Sequence, residues 1–204
     1  MTQTAPPRFY FGVMSPYSWF AAERILTLLP EARWHGVFAG AVFKQNDRVS
    51  WGLTERREAG IEDCNTRAAQ HHLGPIKWPD PWPTNDLLAA RAMIHCSRKD
   101  QDGALLRDFG LAAMRLSFLE GVDLGEAEAV IEVGRRAGID ERELASALQD
   151  QDVKDALRAD TDAVIAAGVF GVPTLAVGGE LFWGDDRLAD GVGAYRAPHD
   201  SLGA

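Results

Sequence analysis

Hydrophobic positions near the start of the chain change from a continuous run to a helical spacing. Residues 8–13 read Arg-Phe-Tyr-Phe-Gly-Val, which is typical of a short strand buried on both faces. From Tyr17 to Leu29 the apolar residues recur at helical intervals, and Pro30 ends the pattern. A second apolar stretch at residues 34–43 predicts another strand within it. The opening therefore predicts a strand–helix–strand unit with parallel strands.

The middle of the chain, residues 54–167, has a helical pattern almost throughout. Glu, Arg, Ala and Leu dominate it, and β-branched runs do not occur. Residues 78–83 interrupt the pattern, because alternating prolines exclude both a helix and a central strand. The predicted helices cover residues 54–73, 86–98, 103–120, 126–137 and 151–167, with a short additional helix that opens at Asp140.

The strand pattern returns near the end of the chain. Residues 174–177 and 180–183 predict two antiparallel strands, joined by a Gly178-Gly179 hairpin turn. Two carboxylates follow, and on the local pattern alone they cap a short last helix. The order of elements predicts an α/β protein in which residues 51–167 form a helical domain. This domain is inserted into a discontinuous one made of residues 1–50 and 168–204.

Composition and charge narrow the classes of function. The 204 residues carry a net charge of −9, which argues against nucleic acid or an anionic membrane as a partner. The two cysteines are far apart and form no C-x-x-C pair, and the histidines show no metal-ligand spacing, so we expect no bound metal. No secretory pattern or membrane-spanning run is visible, and a cytoplasmic protein is expected.

Ser15 is the first candidate for chemistry. It fits the N-cap of the first helix, with Pro16 in the first turn. A helix N-terminus stabilises an anion such as a thiolate, and a serine hydroxyl there can donate a hydrogen bond to a bound thiol. The alternative is that Ser15 only caps the helix. Pro173, just before a strand, is a second candidate, either as a cis proline that exposes the backbone of Val172 or as a trans proline that starts the strand.

Three segments together resemble the 2-hydroxychromene-2-carboxylate isomerase family. They are Phe9-Tyr10-Phe11 with Ser15-Pro16-Tyr17-Ser18, residues 168–174, and Trp183-Gly184-Asp185-Asp186-Arg187. The family is grouped with kappa-class glutathione transferases among DsbA-like proteins. The resemblance covers nearly the whole chain and implies a thioredoxin-like fold with a large all-helical insertion.

The resemblance also implies a glutathione site. Ser15 matches the catalytic serine that holds the glutathione sulfur. Val172, before a Pro173 that the resemblance predicts to be cis, matches the residue whose backbone pairs with the cysteinyl unit. Four further residues match the segment that grips the γ-glutamyl end: Trp183, Gly184, Asp185 and Asp186. Asp185 stands where the family often has Asn or Ser.

Substrate-binding residues are implied at three further positions. Lys44 matches a lysine near the substrate carboxylate, Asn85 matches an asparagine near the acceptor pocket, and Asn46 lies close to a Gly-Asn site of different spacing. Read without the resemblance, Lys44 is a solvated cation and the two asparagines are turn or cap residues.

The function implied is that of a glutathione-dependent isomerase. It would act on an aromatic or conjugated carboxylate, a small-molecule substrate, and the resemblance adds a homodimer. A kappa-like glutathione transferase and a non-catalytic thioredoxin-fold binding module remain alternatives. A dithiol oxidoreductase is disfavoured, because neither cysteine lies at the start of the first helix.

Overall fold

A computed structural model describes residues 6–197 of the chain. In this range the fold has four strands: β1 (Arg8–Phe11), β2 (Arg33–Gly36), β3 (Thr174–Val177) and β4 (Glu180–Trp183). The helices are α1 (Pro16–Leu28), α2 (Ala39–Gln45), α3 (Arg57–Gln70), α4 (Leu87–Lys99), α5 (Ala104–Glu120), α6 (Ala127–Arg136), α7 (Glu141–Gln149), α8 (Gln151–Ala166) and α9 (Leu188–Arg196). None of these helices is long and apolar enough to cross a membrane.

The four strands form one mixed sheet in the order β2-β1-β3-β4. The central strand β1 runs parallel to β2, as the strand–helix–strand pattern predicts, and antiparallel to β3. The predicted hairpin is confirmed, with β3 and β4 paired antiparallel around Gly178 and Gly179, both at positive φ. The end of β1 and the start of β3 therefore lie at the same edge of the sheet.

Two predicted elements differ from the structure. The apolar stretch at residues 34–43 holds a strand only as far as Gly36, and Ala39 starts helix α2. A short apolar run does not by itself distinguish a strand from a buried helix, which explains the error. The last helix reaches Arg196, and its N-cap is Arg187, with no side-chain cap. Asp185 and Asp186 thus do not cap it.

The inserted helices share a hydrophobic core with the sheet. Helices α4 and α5 pack against β2, and α5 also packs against α1. Fully buried aromatic residues from both parts belong to one cluster, among them Phe9, Phe11, Trp19, Phe109 and Phe118. No strand occurs between residues 54 and 167, as predicted. The division into two domains stays a prediction, and its outermost residues, 1–5 and 198–204, lie outside the described range.

Gly110 of α5 lies against the ring of Phe11 in the central strand. A Cβ added there would lie 2.5 Å from a ring carbon of Phe11, whose side chain is fully buried and cannot retreat. We expect Gly110→Ala to lower the free energy of unfolding by about 1–3 kcal/mol through overpacking. Urea denaturation measures this change.

A matched control is Gly193→Ala in α9, where an added Cβ meets nothing within 4 Å. This substitution should stabilise the protein by up to about 1 kcal/mol, because alanine favours a helix over glycine. Equal effects of the two substitutions would contradict the close approach of α5 to β1.

Candidate active site

Ser15 caps helix α1 directly after the central strand. Its Oγ accepts a hydrogen bond from the backbone N–H of Ser18 at 3.2 Å, and its own N–H donates to the carbonyl of Gly12 at 3.1 Å. Pro16 occupies the first helical position, as predicted. The Ser15 side chain is half-buried, and its hydroxyl hydrogen has no acceptor among the described residues. The hydroxyl can therefore donate to an anion at the helix N-terminus.

The turn before β3 lies beside the turn that carries Ser15. The Val172–Pro173 peptide bond is cis, as predicted. A Cβ added at Gly12 would lie 3.0 Å from Cγ2 of Val172, so the Val172 side chain packs closely against Gly12. The N–H and C=O of Val172 form no hydrogen bond with any residue between 6 and 197. Sheet pairing thus brings Ser15 and Val172 to one edge.

Trp183 and Gly184 close the other side of this edge. The Gly184 N–H donates to the carbonyl of Pro173 at 2.9 Å, and the Trp183 ring centroid lies 5.1 Å from that of Phe170. Trp183 is 40% exposed and Phe170 is 38% exposed. The guanidinium of Arg48 lies 4.4 Å from the Trp183 centroid. The cis-proline turn is therefore flanked by two partly exposed aromatic rings, Phe170 and Trp183, and the Arg48 guanidinium lies over the Trp183 ring.

The two aspartates after Gly184 have different environments. The Asp185 side chain is 3% exposed and bonded to Arg67 Nη1 of α3 at 3.0 Å, with His71 Nε2 at 3.7 Å. The Asp185 carboxylate is therefore neutralised inside the protein. Asp186 is exposed and forms no ion pair with another described residue. Only Asp186 of this pair is available to bind an external ammonium group.

Lys44, Asn46 and Asn85 show local contacts, and their predicted role in substrate binding stays a prediction. Lys44 lies in the last turn of α2, not directly after a strand, and it is exposed. Asn46 follows α2, and its side-chain amide donates to the carbonyl of Val42 at 2.8 Å. The Asn85 Oδ1 accepts from the N–H of Leu87 at 3.1 Å, at the start of α4. The two asparagines thus have the turn and cap contacts that the local pattern allows.

The structure excludes a dithiol at this site. Ser15 and Ser18 occupy the two positions of a C-x-x-C pair, and the buried Oγ of Ser18 accepts from the N–H of Gly12 at 3.2 Å. Cys64 and Cys96 are both buried and form no disulfide. Burial raises the pKa of each thiol to about 12, so both are neutral at neutral pH. Residues 6–197 also contain no group of His, Cys, Asp and Glu suited to a metal ion.

The proline-rich loop at residues 78–83 packs beside the turn that carries Ser15. Trp82, from the proline-rich loop, donates its Nε1–H to the carbonyl of Met14 at 3.3 Å and so buttresses the residue before Ser15. The Trp82 ring packs with Trp51 and Trp78 at centroid distances of 4.7 and 4.6 Å. The alternating prolines predicted a loop here, but its contacts with Met14 and Trp51 depend on the tertiary fold.

The chain belongs to the DSBA-like thioredoxin domain family, whose model matches residues 8–196. This match confirms the predicted thioredoxin-like fold with a helical insertion. One curated relative is an uncharacterized protein of Mycobacterium tuberculosis, 30% identical over 148 residues. The aligned region covers 71% of this chain, and the chain spans about 60% of the relative's length.

Solved structures with the same fold have different activities. A 2-hydroxychromene-2-carboxylate isomerase superposes with a TM-score of 0.76 at 21% identity, covering 90% of this chain and 91% of that one. A probable DsbA oxidoreductase from Streptomyces coelicolor has a TM-score of 0.68 at 17% identity, with coverages of 98% and 94%. The cytosolic disulfide reductase DsbM from Pseudomonas aeruginosa, solved with GSH, has a TM-score of 0.58 at 14% identity. The match covers 91% of this chain and 96% of that one. At these sequence identities, the structural similarity shows the fold but not the activity.

Asp86 is a buried carboxyl group close to this edge of the sheet. It is 1% exposed, its Oδ2 has no partner among the described residues, and it lies near Gly40 of α2. Burial raises the pKa of this carboxyl to about 7, although the backbone N–H groups of Asp86 and Ala39 partly offset the shift. Asp86 is therefore largely protonated below neutral pH.

The raised pKa predicts how stability depends on pH. Between about pH 4 and pH 7 the folded state binds the Asp86 proton more tightly than the unfolded chain does. The free energy of unfolding should therefore fall as pH rises through this window. Asp86→Asn should be more stable than the parent at pH 8, by up to about 4 kcal/mol, and gain nothing at pH 4.

Urea denaturation at pH 4, 6 and 8 measures this effect, and Asp102→Asn is the control. Asp102 is exposed, so its substitution should leave the pH profile unchanged. If Asp86→Asn retained the profile of the parent protein, the buried carboxyl would not be the cause.

Proposed function

We propose that this protein is a glutathione-dependent isomerase of the 2-hydroxychromene-2-carboxylate isomerase type. The observation that carries the proposal is Ser15, which stands at the N-terminus of α1 with a free hydroxyl hydrogen, beside the cis Val172–Pro173 bond. A serine there can hold a thiolate but cannot form a disulfide with it. The site thus suits a reaction that uses a thiol without net oxidation.

The residues of this edge fit the parts of glutathione. The Ser15 hydroxyl and the helix dipole can hold the sulfur as its anion. The unpaired N–H and C=O of Val172 suit a peptide backbone in extended form. Asp186 can accept the α-ammonium of the γ-glutamyl unit. In this assignment Asp185 is not a ligand, because Arg67 already neutralises it.

Bound glutathione would supply a thiolate that adds reversibly to an unsaturated carbon of the substrate and leaves unchanged. The chain's own contribution is to stabilise the sulfur anion and to orient an acceptor beside it. Trp183 and Phe170 offer an aromatic surface next to the cis-proline turn. A substrate with a conjugated or aromatic body matches that surface.

Ser15→Ala tests this assignment. Loss of a charge-assisted hydrogen bond worth about 1.5–3 kcal/mol should raise the pKa of the bound glutathione thiol by about one to two units. Turnover at neutral pH should fall by about 10- to 100-fold, the factor that corresponds to this pKa shift. Glutathione affinity at low pH should change little. Thiolate absorbance, titrated against pH at saturating glutathione, measures the shift.

The controls separate this chemistry from capping. Asp140→Ala removes another N-cap, at α7 and far from Ser15 in sequence, and should lower stability without moving the thiol pKa. Ser15→Thr keeps the hydroxyl and should stay close to the parent. Identical titration curves for Ser15→Ala and the parent would mean that Ser15 is only a cap. The mass of the product distinguishes isomerisation from the conjugation catalysed by a transferase.

A further inference from the structure

A cavity with a volume of about 420 Å³ lies between helices α2, α4 and α8. None of the residues assigned to glutathione lines it. A cavity of this size holds a small organic molecule. Binding there is independent of the proposed isomerase activity.

The walls of this cavity are of two kinds. Apolar side chains line one part, namely Phe38 of the segment before α2, Leu87 and Leu157. Cationic side chains line another part, and these are Arg91, Lys154 and Arg158. The one acid among the described lining residues is Asp162. The lining therefore carries a formal charge of +2 (three cations and one anion), in a protein whose net charge is −9.

The cations of the cavity lack close acidic partners. Lys154 forms no ion pair with any residue in the described range, and Arg158 has only a 3.9 Å contact to Asp155. Arg91 donates from Nη1 to the carbonyl of Leu148 at 3.1 Å, while its buried Nε has no partner in residues 6–197. The Arg91 guanidinium, which is partly shielded from water, thus keeps a hydrogen-bond donor without an acceptor.

The three cations come from two facing helices. Lys154 and Arg158 are four residues apart on α8, and Arg91 lies on α4. The Arg158 side chain is 80% exposed and has Asp155 one turn away, whereas the buried Nε of Arg91 lacks a partner in residues 6–197. An anion seated in the cavity would complete the hydrogen bonds of Arg91.

We propose that this cavity binds an organic anion with an apolar body, such as an aryl carboxylate. The acidic group would lie among Arg91, Lys154 and Arg158, and the apolar body would pack against Phe38, Leu87 and Leu157. A small inorganic anion would leave the apolar wall uncovered, and a neutral aromatic compound would leave the cations unpaired. Both parts of the ligand are therefore required for full affinity.

Calorimetric titration of the full chain with naphthalene-1-carboxylate, without glutathione, tests the proposal. We expect saturable binding that weakens as ionic strength rises. The neutral naphthalene-1-carboxamide and inorganic phosphate should each bind at least about tenfold more weakly, since each lacks one of the two parts. The double variant Lys154→Gln/Arg158→Gln should lose about tenfold in affinity for the carboxylate.

Two comparisons locate the ligand. The variant Arg98→Gln/Arg142→Gln removes the same charge from exposed positions outside the cavity and should bind like the parent. Ser15→Ala and added glutathione should also leave the affinity unchanged. No binding at millimolar ligand, equal affinity in the Lys154/Arg158 variant, or competition with glutathione would each overturn the proposal.

Discussion

The antiparallel pairing of β3 with β1 is the constraint on which the rest of the site depends. Because β1 also runs parallel to β2, the carboxyl end of β1 and the amino end of β3 meet at one edge of the sheet. That edge receives the N-terminus of α1, with Ser15, and the cis bond before Pro173. Because Gly12 has no side chain, the Val172 side chain can pack directly against it. Residues more than 150 positions apart in sequence thus form one site.

An ion pair with a buried carboxylate ties the inserted helices to this edge. Arg67 of α3 reaches Asp185 in the turn after β4, and Arg24 of α1 donates to the Asp185 carbonyl at 2.9 Å. Such a pair need not stabilise the fold, but removal of Arg67 would leave the buried Asp185 carboxylate without this partner, at a cost on the order of 3–5 kcal/mol. Asp185 is therefore part of the internal structure. Of the two aspartates, only Asp186 presents its charge to solvent.

The sequence indicates the local structure of the chain well. Regular spacing of apolar residues between residues 54 and 167, with glycines and prolines at the ends, predicts helices close to the observed bounds. Helix α2 was missed, since its apolar residues continue those of β2 without a break. Hydrophobic periodicity shows which face of an element is buried. Strand β2 and helix α2 are both short and both apolar, so together they produced one continuous apolar run.

The candidate site was only partly predictable, for a physical reason. Ser15 and Pro173 stand at helix and strand starts, which local rules identify. The partners that define their surroundings come from other elements: Arg67 lies 118 residues from Asp185, and Trp82 lies 68 residues from Met14. The desolvation of Asp86 likewise arises from packing among helices. Contacts of this kind depend on the tertiary fold and leave no local pattern.

The central claim is that the shared edge of β1 and β3 is a glutathione site. It is tested most directly by backbone amide chemical shifts in a glutathione titration of the isotope-labelled protein. We expect saturable shifts at Ser15, Val172, Trp183 and Gly184, with little change along the α2–α4–α8 cavity. Shifts confined to other surfaces, or none at millimolar glutathione, would contradict it.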